Sequence, residues 1–133
     1  MVHFFFAVDL LRKLKMKVEM SCIRLASYQN TQSTGKVNEL LGIADDLTGR
    51  RVIIVEDIVD TGNTYEHIMN ILEKIEVKDV RIATMLWKPE AYTKSLSVHY
   101  AAISIPSKFV IGRGLDYNGL GRNYTDIYQI LDA

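Results

Sequence analysis

The sequence predicts an α/β domain whose sheet is mostly parallel and flanked by helices. Three observations carry that prediction. Strand-like apolar runs alternate with segments of helical period, the order expected of strand–helix–strand units. Two runs, Val52 to Val55 and Val80 to Trp87, are nearly continuous in apolar residues, as in strands covered on both faces. The first run also empties into a loop of acids, hydroxyls and a glycine, with a helical pattern directly after it. Ligands of parallel sheets bind at that end of the strands.

Taken in order, Met1 to Lys17 reads as an amphipathic helix. Phe4, Val8 and Leu11, with Phe5 and Ala7 beside them, form one apolar face, and Arg12, Lys13 and Lys15 turn outward. Apolar residues come first and basic ones after, and Asp9 interrupts them, the reverse of a secretory signal. Val18 to Ser27 is a strand candidate. Ser27 to Lys36 is polar, without apolar period, and contains Gly35. With its flanks, about 25–38, it is expected to be an exposed mobile loop, and a loop this long in a small domain is more often functional than not. Lys36 to Ile43 is a short strand or turn. Asp45, Asp46, Thr48 and Gly49 mark a turn before the central strand, Arg51 to Val55. A helix is expected from about Thr64 to Ile75, with Ile68, Ile71, Leu72 and Ile75 on its apolar face. Strands are expected at Val77 to Trp87 and Ser97 to Pro106, then a short apolar piece from Phe109 to Ile111. The tail contains Gly112, Gly114, Gly119 and Gly121, a density that suggests tight backbone turns. Tyr124 to Leu131 is a last short strand or helix.

The 133 residues suit one domain, 1–133, and not comfortably two. An apolar content of 48% and a charged content of 24% are those of an ordinary globular protein. The 16 basic and 16 acidic residues balance, which argues against a nucleic-acid binder working by bulk charge. No apolar stretch approaches the ~20 residues of a membrane span. A single cysteine, Cys22, forms no internal disulfide and favours a cytoplasmic location. Cys22 itself reads as a buried small apolar residue rather than a nucleophile, and His67 as structural or exposed.

The chemistry concentrates in RVIIVEDIVDTGNT, Arg51 to Thr64. Backbone N–H groups at a helix start attract an anion, and a glycine lets the backbone approach it. A P-loop is excluded, because Gly35-Lys36-Val37 lacks the hydroxyl and follows no strong strand. A dinucleotide fold is excluded by the missing glycine triplet. Asp60-Thr61-Gly62 spells the aspartic-protease triplet, but α/β alternation is wrong for those all-β enzymes.

The fuller pattern, four apolar residues, Glu56-Asp57, two apolar residues and Asp60-Thr61-Gly62-Asn63-Thr64, resembles the signature of the type I phosphoribosyltransferases, which bind 5-phosphoribosyl-1-pyrophosphate (PRPP). Ser27-Tyr28, Ser33-Thr34-Gly35, Lys88, Ile105 to Val110, Leu115 to Asn118 and Arg122 extend the resemblance over nearly the whole chain. They point to the hypoxanthine (or hypoxanthine-guanine) branch. The resemblance implies purine salvage, with transfer of the phosphoribosyl group to hypoxanthine or guanine. It implies that Glu56 and Asp57 hold the ribose and that Thr61, Gly62, Asn63 and Thr64 cradle the 5′-phosphate. Asp60 would act as general base at the purine. Phe109 would stack on the ring, Lys88 would donate to the 6-oxo group and the backbone of Val110 would meet the base edge. Asp116 is expected at the purine end and, with Glu56 and Asp57, as a Mg²⁺ ligand, and Arg122 at the pyrophosphate. Ser27 and Tyr28 belong to the lid. Adjacent residues on a regular strand point to opposite faces, so Glu56 and Asp57 both reach the sugar only if the strand has already ended. No nucleic-acid or membrane partner is expected, and a dimer or tetramer is.

Family members carry a further strand, a helix and a pyrophosphate loop ahead of the first helix here. The chain is therefore expected to lack part of the pyrophosphate site, and a PRPP-binding protein of little catalytic power is the alternative reading.

Overall fold

The computed structural model describes residues 4–23 and 45–131. The expected lid, with Ser27 and Tyr28, and the element expected at 36–43 lie outside the described residues.

Helix α1 (Phe4–Lys13) ends on Arg12 and Lys13, cations suited to the negative end of a helix dipole. Its expected inward face is corrected. Phe6 packs against Met85, Leu86 and Leu115, while Phe4, Phe5 and Val8 stay 49, 52 and 42% exposed. The first half of the helix is apolar almost all round, so periodicity did not choose a side. On the observed side Phe6 enters the second core cluster, and Asp9 is ion-paired with Arg113. The strand expected at Val18 to Ser27 is absent from its described part, 18–23, and Cys22, expected to be buried there, is exposed. Strand propensity becomes a strand only beside a partner.

The turn at Asp45 to Gly49 is present: Asp46 Oδ1 accepts the Thr48 N–H at 2.9 Å. Strand β1 (Arg51–Val59) follows, then helix α2 (Asn63–Leu72) and strand β2 (Asp79–Trp87). Strand β3 (Tyr100–Ser104) completes a three-stranded parallel sheet of order β1-β2-β3. The expected end of the central strand at Val55 is corrected, since β1 continues through Glu56 and Asp57 to Val59. Ile58 and Val59 find partners in Leu86 and Trp87, so the apolar end of β2 carries β1 onward.

Side chains of Ile54, Val59, Tyr65, Ile68, Leu72 and Ile82 make the main core between sheet and α2. Ile68 and Leu72 were expected there, and Tyr65 extends the same helical row by one turn. Ile58 joins the second cluster instead, with Phe6, Met85, Leu86 and Leu115.

Beyond the sheet the chain makes a small antiparallel ribbon, β4 (Val110–Ile111) with β5 (Tyr128–Gln129). Between them lie the bridges Gly112–Leu115 and Tyr117–Leu120. Gly112, Gly114, Gly119 and Gly121 all have positive φ, so the tight turns expected of the tail are there. Gly112 admits no side chain, because a Cβ would overlap the Asp126 carbonyl.

Candidate functional site

The end of β1, the loop after it and the start of α2 enclose a cleft of about 200 Å³, lined by Glu56, Ile58 to Asn63, Thr64 and Tyr65. That is smaller than the ~300–1,000 Å³ of sites that enclose a drug-sized ligand. Local backbone chemistry shapes it. Gly62 is the N-cap of α2 in the left-handed conformation, φ 88°, and makes no side-chain capping bond. The first N–H groups of a helix have no intrahelical partner, so the helix start faces the cleft as an anion site. Thr61 Oγ1 lies 3.5 Å from the Asn63 N–H.

The two neighbouring acids divide. Glu56 lines the cleft. Asp57 is 1% exposed and is directed toward Gly114, whose added Cβ would sit 3.0 Å from Asp57 Oδ2. Because the strand has not ended at these residues, they point apart. Asp60 stands at the mouth, half exposed, and accepts an ion-paired hydrogen bond from Lys88 Nζ at 2.6 Å. The Lys88 backbone N–H donates to Val59 O at 2.9 Å, so the end of β2 is tied to the end of β1 and delivers the lysine. The Lys88 residue is 7% exposed, and a buried ammonium needs a paired carboxylate.

Phe109, Val110, Asp116 and Arg122 form a second group on the glycine-rich ribbon, outside the cleft lining. Phe109 is 51% exposed and packs edge to face on Tyr117 at 5.6 Å, which leaves ring surface for stacking. Val110 is half buried and packs against the second core cluster. Asp116 accepts the Gly119 N–H at 2.6 Å and is ion-paired with Arg122. Arg122 also donates to Gly114 O at 2.5 Å. Asp116 thus caps a turn and holds the arginine, which was expected separately at the pyrophosphate.

Among the described residues no three or more His, Cys, Asp or Glu side chains gather as a metal site. Mg²⁺ keeps several waters and takes one or two carboxylates plus substrate oxygens, so this donor set still fits. Glu56 is the carboxylate that faces the cleft. Asp57 is buried away from it, and Asp116 is engaged with Arg122.

Sequence reasoning missed Tyr92, Thr93, Lys94 and Glu66, which brace the loop from behind, and Arg113, which binds α1. They carry no motif. Residues 92–94 lie in a polar segment after Pro89, and only the fold brings them to Thr61 and Gly62.

A parallel sheet with a cleft at the carboxyl end of its first strand, lined by acids, hydroxyls and a helix start, defines an α/β domain of the phosphoribosyltransferase type. The chain belongs to the phosphoribosyl transferase domain family, whose model matches residues 4–118. Within that family its similarity is to the hypoxanthine-guanine enzymes. It is 36% identical over 119 residues to the hypoxanthine-guanine phosphoribosyltransferase of Streptococcus pneumoniae strain R6, covering 89% of this chain and 66% of that one. It is 39% identical over 125 residues to that of Cricetulus griseus, covering 92% and 56%. A hypoxanthine phosphoribosyltransferase structure from Staphylococcus aureus superposes with a TM-score of 0.87 at 31% identity, covering 97% of this chain and 71% of that one. A hypoxanthine-guanine phosphoribosyltransferase structure from Bacillus anthracis gives 0.85 at 36%, covering 96% and 76%. The chain thus spans about two thirds or less of these two curated relatives. The fold is that of the type I phosphoribosyltransferases, as the sequence predicted.

Proposed function

We propose that this chain is a phosphoribosyltransferase domain of purine salvage. It would join hypoxanthine, and guanine, to the phosphoribosyl group of PRPP, giving the nucleoside monophosphate and pyrophosphate. The observation that carries the reading is the cleft itself. Glu56, Asp60 and the Thr61–Thr64 helix start converge there, and Lys88 is ion-paired at its rim.

The 5′-phosphate sits on the N-terminus of α2, where N–H groups and the hydroxyls of Thr61 and Thr64 donate to it. The ribose hydroxyls donate to Glu56, a charge-assisted contact. Lys88 carries three N–H donors, so its bond to Asp60 leaves capacity for a 6-oxo oxygen. An amino group at that position accepts no such bond, which selects against adenine. Phe109 stacks on the planar base. In the reaction the C1–oxygen bond to pyrophosphate breaks and its electron pair leaves with the pyrophosphate. A base nitrogen supplies the pair for the new C1–N bond, and Asp60 takes the ring proton as general base. Val110 offers backbone groups at the base edge, and Arg122 offers cationic donors to the pyrophosphate once released from Asp116. A Mg²⁺ ion, when bound with Glu56, offsets charge on the leaving pyrophosphate. The working protein is a homo-oligomer in the cytoplasm. The Trypanosoma cruzi enzyme, solved with the product IMP, superposes at a TM-score of 0.85 over 96% of this chain, which supports the substrate class.

The test is product formation from PRPP, Mg²⁺ and each purine in turn, with calorimetric PRPP binding alongside. Inosine monophosphate formation, cut by about 10²–10⁴ in Asp60→Asn, is the expected result. PRPP binding without any product would turn the reading toward a ligand-sensing protein.

A further inference from the structure

The phosphate loop cannot be held by its own helix cap. Gly62 supplies no side chain, and within the loop the Thr61 hydroxyl accepts the Asn63 N–H only at a long 3.5 Å. The support comes from a segment that does not line the cleft, residues 92–94. The Thr93 N–H and the Thr93 Oγ1 hydroxyl both donate to Thr61 O, at 3.3 Å and 3.2 Å. The Tyr92 ring lies so close behind Gly62 that an added Cβ would come within 2.5 Å of Tyr92 Cε2. Tyr92 is itself fixed, since its hydroxyl donates to Leu96 O at 2.6 Å and its ring meets Trp87 edge to face at 6.4 Å.

Lys94 acts on charge. Glu66 stands in the first turn of α2, where a free carboxylate would oppose an incoming phosphate dianion. Lys94 Nζ is ion-paired with Glu66 Oε2 at 2.7 Å, its side chain 18% exposed. The pair removes the repulsion and leaves the helix start attractive to an anion.

We infer that residues 92–94 are a strap that positions the phosphate loop, with Thr93 fixing Thr61 and Lys94 neutralising Glu66. The inference rests on the phosphate reading proposed above and assigns it positioning residues. The strap starts just after Lys88, through a turn in which the Ala91 N–H donates to Lys88 O at 3.1 Å. One continuous segment therefore touches Asp60, Thr61, Gly62 and Glu66, and links the lysine at the rim to the phosphate end of the cleft.

The test combines amide hydrogen exchange at residues 62–64 with calorimetric binding of PRPP and of ribose 5-phosphate. Losing one neutral hydrogen bond in Thr93→Val is expected to speed exchange and weaken both ligands by about fivefold. Thr93→Ser, which keeps the hydroxyl, is expected to restore both. Unchanged exchange, or faster exchange with unchanged affinity, overturns the strap. A wild-type chain that binds neither ligand overturns the phosphate reading, and the exchange comparison then still decides whether the strap orders the loop. Should Thr93→Val fail to fold, Lys94→Gln replaces it. Weaker PRPP binding, recovered by adding Glu66→Gln, is expected, and no recovery overturns the charge role.

Discussion

Glu56 and Asp57 are neighbours on β1, and neighbouring strand residues project to opposite faces. Only Glu56 lines the cleft, while Asp57 is 1% exposed. Glu56→Gln is therefore expected to weaken PRPP binding without moving the melting temperature. Asp57→Asn is expected to lower stability by about 1–3 kcal/mol, the cost of mismatched buried polar groups. Calorimetry and thermal denaturation of the two variants separate these outcomes. Asp60→Asn is expected to cut turnover by about 10²–10⁴, the usual contribution of a general base, with PRPP affinity retained. These residue types could be read from the sequence because an acid pair, a third acid and a threonine-glycine turn form one contiguous string. The ion pair between Asp60 and Lys88 could not, since it joins positions far apart in the chain and depends on β1 and β2 ending side by side.

At the scale of elements, the strand–loop–helix unit is held by one glycine and its neighbours. Gly62 has φ 88° and no room behind it, so Gly62→Ala adds backbone strain to a clash with Tyr92 and Lys94. A loss of about 1–3 kcal/mol is expected, read by chemical denaturation, together with weaker phosphate binding. Tyr65 and Tyr92 flank the same unit. Burial pushes the Tyr65 hydroxyl above the ordinary 10.0. For Tyr92 burial acts first, then the negative charge of Tyr65 and Glu66. Their folded forms hold the proton more tightly than the unfolded chain does. The stability they contribute is therefore complete below about pH 10 and is lost as pH rises through the raised values. Melting temperatures measured across that range are expected to fall, and to fall less steeply in Tyr92→Phe. The helix, its apolar row and the strands at β1 and β2 were legible because their periods are strong. The length of β1 was not, because it depends on pairing with β2. The inward face of α1 was not either, because Phe4, Phe5 and Phe6 offered three candidate sides.

For the whole molecule, the exposed margins of the sheet matter most. β3 is exposed at all five residues, and Ile103 and Tyr100 are 54% and 49% exposed. An apolar edge strand invites pairing with another copy. For the proposed homo-oligomer, Ile103→Lys is expected to shift the protein toward a smaller species in sedimentation, and an unchanged distribution would count against pairing through β3. A chelator is expected to abolish product formation and added Mg²⁺ to restore it, measured on the same chain.

The sequence by itself determined the α/β class, the parallel sheet and the string of acids and hydroxyls at the end of β1. Each of these depends on local period or contiguous residues. Tertiary structure decided which acid enters the cleft, that Lys88 closes on Asp60, that Asp116 holds Arg122, and that residues 92–94 stand behind the loop between β1 and α2. Those outcomes depend on strand register and on segments brought together across the sheet, which no local pattern encodes.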